Sequence, residues 1–208
     1  NPAPLRQWRP GGDTGEPRLF APAESIRMRF RGGGSSPSDP QYPAPGAVID
    51  YSLAAKPEGE VKIEIMDGAG NVLRTLSSAS GTPRPTAATG HNRFVWDFRR
   101  EGPGGGRGPM VPPGTYRVKL SVGGWSGSES LAVAIDPRLA SSGVGVEDLR
   151  AQERLHLEVL RLQARAREAS TRLDKEIKSA EEGAKTEGRG GDPARKRLAA
   201  LRTLRMEM

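Results

Sequence analysis

From Arg93 to Phe98 apolar and polar residues alternate, with Phe94, Trp96 and Phe98 on one side of a period-two pattern and Arg93, Val95 and Asp97 on the other. The pattern predicts a strand with an aromatic inner face. Pro112-Pro113-Gly114 supplies a turn. Alternation then resumes over Thr115–Val122, with Tyr116, Val118, Leu120 and Val122 inward and Thr115, Arg117, Lys119 and Ser121 outward. Between the two strands lies a Gly/Pro-rich segment read as a loop. Upstream, Ile26, Met28 and Phe30 alternate with Arg27, Arg29 and Arg31, which predicts a first strand with a basic outer face. Val48–Leu53 reads as a second strand whose inner face the pattern leaves open. Val61, Ile63 and Ile65 alternate with Lys62, Glu64 and Met66, Asp67–Asn71 forms a tight turn, and Val72–Leu76 returns, the clearest hairpin in the chain. Gly123–Gly127 is read as a turn containing Trp125, and Ser130–Ile135 as the last strand. About seven strands separated by turn signals predict an antiparallel β-sandwich of immunoglobulin or fibronectin type over residues 25–138. Tyr116, just after a Pro-Gly turn, is placed to pin a corner.

After Asp136-Pro137-Arg138 the period changes. Leu149, Leu155, Val159, Leu162, Ala166, Ala169, Leu173, Ile177 and Ala180 recur mostly at spacings of three and four, a narrow apolar stripe on a helix over about 146–182. Gly183–Gly191 breaks it. Asp192-Pro193 suits a restart, and Leu198, Leu201 and Leu204 give a shorter helix over about 193–206, so residues 139–208 read as a helical hairpin, with a solitary long helix as the alternative. The long stripe exceeds what the short helix can cover. Leu162 and Leu173, with small Ala166 and Ala169 between them to admit a close backbone, are therefore candidate partner contacts. Residues 1–24, with several prolines and the isolated anchors Leu5, Trp8, Leu19 and Phe20, read as an extended arm.

Composition limits how much can be buried. Among 208 residues there are 27 Gly and 18 Pro, hydrophobic residues make up 35% and aromatics 5%, so the core is modest and loops are long. No run approaches the roughly 18 apolar residues of a membrane helix, although peripheral proximity to a membrane is compatible with the basic charge. The chain has no cysteine, which removes disulfides, thiolate catalysis and Cys-based zinc sites. The net charge of +7 is spread along the chain, and the helical region has no aromatic residue, so nucleic acid is not the expected partner and the charge is read as serving solubility or an acidic protein or membrane surface. A beginning at Asn1 fits either a processed mature chain or a piece of a longer one.

Chemistry finds little purchase. The acids near the strands, Asp50, Glu64, Asp67, Asp97, Glu101 and Asp136, form no persuasive glycosidase pair. Asp97 reads as a strand-end hydrogen-bonding residue and Asp67 as a turn former. The two histidines, His91 and His156, lie in different parts of the chain and make a weak metal site. Gly102–Gly108 lacks the Lys-Ser/Thr of a phosphate loop. No catalytic residue, metal ligand or cofactor is expected. Trp8, Phe20, Arg99, Arg100, Arg107 and Trp125 join the four helical residues as candidate partner contacts, since exposed aromatics and arginines anchor interfaces.

Leu19–Pro22, Ala47–Leu53, Val61–Leu76 with its Asp67…Gly70-Asn71 turn, Asn92–Asp97, Pro113–Tyr116, Asp136–Arg138 and the helical tail occur in an order and spacing that resembles a known family. It is the C-terminal region of bacterial secreted proteins bearing sortilin-like BNR-repeat β-propellers, labelled glycosyl hydrolases. The central part is also similar to the immunoglobulin-like module of the flagellar hook-assembly protein FlgD. The resemblance spans roughly residues 19–173 and implies a periplasmic or secreted location. These residues hold no propeller and no Asp-box of the Ser-x-Asp-x-Gly-x-x-Trp kind, so the resemblance carries no propeller activity with it. His91 stands where the pattern asks for an apolar residue. Two functions are expected: a non-enzymatic docking subunit of a larger extracytoplasmic protein assembly, a membrane-bound complex among the candidate hosts, or an accessory domain of a propeller hydrolase whose catalytic part lies elsewhere.

Overall fold

The computed structural model describes residues 3–7, 15–28, 45–186 and 192–207. In chain order the elements are a short helix Ala3–Gln7 (α1), then strands Arg18–Leu19 (β1), Ser25–Arg27 (β2), Ala47–Leu53 (β3), Val61–Met66 (β4), Val72–Ser77 (β5), Gly90–Trp96 (β6), Arg99–Glu101 (β7), Arg107–Met110 (β8), Gly114–Val122 (β9) and Trp125–Ile135 (β10). Helices Pro137–Ser141 (α2), Val146–Thr186 (α3) and Asp192–Glu207 (α4) follow. Contacts divide the chain between His156 and Leu157 into a mainly β unit and a helical unit. The opening turns of α3 thus belong to the β unit.

The β unit has a three-stranded sheet in the order β1-β3-β6, a five-stranded sheet in the order β2-β10-β9-β4-β5, and a two-stranded ribbon β7-β8. Every pairing is antiparallel except that of β2 with β10. Alternation fixes which side chains meet: Val61 faces Val122, Ile63 faces Leu120 and Ile65 faces Val118 across β4 and β9. These residues join Ile49, Tyr51, Phe94, Trp96 and Leu131 in one apolar cluster drawn from both main sheets. Burying each large apolar side chain is worth about 1.5–3 kcal/mol. Trp96 packs edge-on against Phe98 and Tyr116 at ring separations of 5.7 and 5.9 Å, and its indole N–H donates to the Arg99 carbonyl at 2.9 Å.

The hairpin turn forms as its sequence asks. Asp67 Oδ1 accepts from the backbone N–H groups of Ala69 and Asn71, Oδ2 accepts from the Asn71 amide, and Gly70 takes φ +87°. Those hydrogen bonds, the Asn71 side chain first, hold the Asp67 carboxyl below the usual carboxylate range. The Tyr116 hydroxyl donates to the Pro112 carbonyl at 2.6 Å and so ties the start of β9 to its own turn. Asp136 caps α2, accepting from Arg138 N–H at 3.0 Å with Pro137 behind it.

Several elements differ from the sequence expectation. There are ten strands among the described residues, the extra ones being short. The expected inner and outer faces of the first strand are exchanged: Ile26 is 40% exposed and Arg27 only 4%. Arg27 turns inward because its guanidinium finds acceptors there, Nε donating to the Val111 carbonyl at 2.8 Å and Nη2 to Gln152 Oε1 at 3.1 Å. Phe30, also assigned to that strand, lies outside the described residues. The aromatic strand ends at Trp96, not Phe98: Phe98 adopts φ +58°, and burial of its ring (1% exposed) offsets a backbone conformation that costs on the order of 1–3 kcal/mol. The reversal that follows lets the supposed loop fold as the β7-β8 ribbon, with Val111 N–H bonded to the Phe98 carbonyl at 2.7 Å. Trp125 sits in a strand, paired with Val122, so the turn is shorter than expected. The N-terminal segment is an arm only in part, since α1 is helical and β1 pairs with β3.

Candidate functional site

Within the β unit a cleft of about 250 Å³ is lined by Arg27, Arg99, Pro109, Met110, Gln152, Glu153 and His156. Four elements meet there: β2, β7, β8 and the early turns of α3. Gln152 and His156 share a helix face because they are four residues apart. Arg99 is fixed by Nη1 donation to the Gly108 carbonyl at 3.0 Å and lies 3.8 Å from Asp97, which also meets Arg107 at 3.3 Å. Arg100 pairs with Glu153 at 3.1 Å, while its buried Nε has no hydrogen-bond partner among the described residues. Close by, the Tyr116 hydroxyl has its pKa pushed up to about 12, chiefly by burial and then by the charge of Glu153. Arg99, Arg100 and Arg107, singled out from sequence as contact residues, thus share one region with two carboxylates. Arg27 was not foreseen there because its alternation pointed it outward.

The helical unit holds the second concave surface. Arg197, Arg202 and Arg205 of α4 pair with Glu176, Glu181 and Asp174 of α3 at 3.7, 2.7 and 2.8 Å, which lays α4 along the later turns of α3. Exposed pairs of this kind contribute about 0–1 kcal/mol each. A groove of about 650 Å³ is lined by Leu162, Arg165, Ala166, Glu168, Ala169, Arg172, Leu173, Glu176 and Leu201. All four helical candidates therefore converge on it. Leu173 forms its floor and is buried at 7% exposure, whereas Leu162 stays 53% exposed. Val159, one turn earlier, is 41% exposed, and Leu155, at the end of the β unit, is 63% exposed.

The remaining candidates are placed as follows. Trp8 lies outside the described residues. Phe20 is inside the β unit at 1% exposure, under the Arg18 guanidinium at 5.1 Å. Trp125 is half-buried against the core and lies over Gly127, where a Cβ would meet the indole at 2.6 Å. A polar cluster was missed from sequence: Asp50, 3% exposed, accepts from Arg93 Nε at 2.7 Å and lies 3.0 Å from His91 Nε2. The bond to Asp50 raises the Arg93 pKa further. Cross-strand register explains His91, since it faces Ser52 beside Asp50 and the strand needs a polar partner there. Among the described residues no group of three or more His, Asp or Glu could hold a metal ion, and no helix is long and apolar enough to cross a membrane. No protein-family model, no curated protein and no solved structure matches the chain.

Proposed function

We propose that the chain is a non-catalytic docking module that joins a larger extracytoplasmic protein assembly through its helical unit. The observation that carries this reading is the α3 stripe, where Leu162 and Val159 remain half-exposed beside a groove floored by Leu173 and flanked by Ala166 and Ala169. Contiguous apolar side chains in a concave, charge-rimmed setting fit a partner helix laid into the groove. The small alanines let a second backbone approach, and the net charge of +7 favours an acidic partner. The β unit in this reading is an immunoglobulin-like sandwich that presents the helices, as the resemblance to the FlgD-like module implies, and the extracytoplasmic location rests on the same resemblance.

The test is Val159→Asp with Leu162→Asp in the full chain, isolated from its native source under mild conditions. Loss of co-isolating partners with the β unit still folded is expected. Retained association of the doubly substituted chain, or recovery of the unsubstituted chain as a lone monomer, overturns the proposal.

A further inference from the structure

We propose that the apolar stripe on the middle turns of α3 is covered by the same stripe of a second copy of this chain, running in the opposite direction. The inference rests on the docking reading above and names its partner helix.

Three observations carry it. Exposure comes first: of the five large apolar side chains exposed among the described residues, Leu155, Val159 and Leu162 lie on one face of α3. Spacing comes second. Leu155, Val159, Leu162 and Ala166 follow one another at four, three and four residues, the repeat with which two helices interlock side by side. Arg205 of α4 bonds Ser170 at 3.0 Å and pairs with Asp174 at 2.8 Å, so α4 is engaged with turns beyond this stretch. A copy reversed about a twofold axis between Leu160 and Arg161 sets Leu155 against Ala166 and Val159 against Leu162, each twice, so the largest side chain faces the smallest. A copy running the same way would set Ala166 against Ala166 and leave a gap beside the Leu162 pair. Charge comes third. Glu158 and Arg165, both exposed, flank the stripe on one side, each one residue before a stripe position. Reversal brings Glu158 of each copy to Arg165 of the other, whereas a parallel copy would bring the two to uncharged Gln163 and Ser170. The net charge of +7 attracts acidic surfaces at long range, but Glu158 at the edge of the stripe disfavours one here, and repulsion between copies is screened beyond about 8 Å at physiological salt.

The experiment is sedimentation equilibrium of the full chain at constant ionic strength. A reversible dimer with a Kd on the order of 10 µM is expected from so short an interface. Glu158→Arg or Arg165→Glu alone makes both charge contacts repulsive and should weaken dimerisation by about tenfold. An equimolar mixture of the two variants makes both contacts attractive again, and should return the affinity to within about threefold of the unsubstituted chain. If circular dichroism shows that either variant loses helix, the doubly substituted chain, which keeps both contacts in reverse, decides by dimerising as the unsubstituted chain does. A monomer at concentrations up to about 1 mM, single reversals without effect, or a mixture no tighter than its parts overturns the inference. Its failure is distinct from failure of docking: a monomeric chain that still co-isolates another protein, and releases it on Val159→Asp with Leu162→Asp, refutes only the second copy.

Discussion

Gly108 and Gly124 make opposite predictions for the same substitution. An alanine Cβ at Gly108 would stand 2.5 Å from the Arg100 carbonyl oxygen and 3.0 Å from the carbonyl carbons of Arg100 and Glu101, whereas at Gly124 it would meet nothing within 4 Å. The obstruction at Gly108 is backbone of the facing strand, so relief requires the β7-β8 ladder itself to part, including the pairs Arg99–Met110 and Glu101–Arg107. Inserting a methyl against a packed, unyielding neighbour costs about 1–3 kcal/mol. Gly124→Ala should instead stabilise by about 0.4–1 kcal/mol, because the loss of backbone freedom then falls on the unfolded chain alone. Urea unfolding followed by tryptophan fluorescence reads the β unit through Trp96 and Trp125. With a slope of about 2 kcal/mol per molar urea, a 2 kcal/mol loss moves the midpoint down by about 1 M. Gly108→Ala unfolding within about 0.2 M of the unsubstituted chain, or Gly124→Ala losing as much as Gly108→Ala, would refute the steric argument.

Two pH dependences follow from the hydrogen-bonded groups. The Tyr116 hydroxyl ionises near pH 10 when unfolded and at about 12 when folded, so its contribution is complete below about pH 10 and is lost as pH rises through 12. Tyr116→Phe should flatten that alkaline decline in melting temperature, and should cost about 1 kcal/mol at neutral pH through the bond to Pro112; an unchanged alkaline profile would count against the assignment. Asp67 is depressed relative to its unfolded value, so its contribution is present above about pH 4 and disappears as pH falls through the lower folded value. Thermal melts of Asp67→Asn from pH 7 to pH 2 should therefore converge on those of the unsubstituted chain at the acid end, and a gap of constant size would contradict this.

What the sequence made legible follows from period and turn chemistry. The β4-β5 hairpin, the inward set of β9 and the α3 stripe each repeat long enough for burial to dictate the pattern. Arg27 escaped because a three-residue strand carries too few alternations to fix a face, and because its acceptors, Val111 and Gln152, are supplied from far along the chain. The β7-β8 ribbon escaped for a related reason: Gly and Pro signal loops locally, yet Gly108 is small so that a facing strand can come close. The groove residues Leu162, Ala166, Ala169 and Leu173 were legible as one stripe, but the split into a covered Leu173 and an exposed Leu162 depends on where α4 lies. The cleft lined by Arg27 and Arg99 had no signature in sequence, because its lining comes from three short strands and one helix far apart in the chain.

The parallel pairing of β2 with β10 joins Ser25 to Val133 and Arg27 to Ile135. An edge of the five-stranded sheet is therefore closed by residues more than a hundred positions apart, and Arg27 waits further still for Gln152. During synthesis β2 emerges second among the strands and pairs last, whereas β1 needs only β3. Until β10 has left the ribosome, the β4-β5 hairpin and the β3-β6 pair can form, but β2 has no edge to join. Such distant closure places the β unit among chains that fold in milliseconds to seconds, not microseconds. A chain stalled before residue 135 leaves an edge of β9 without its neighbour, which makes that intermediate the natural client of a holding chaperone.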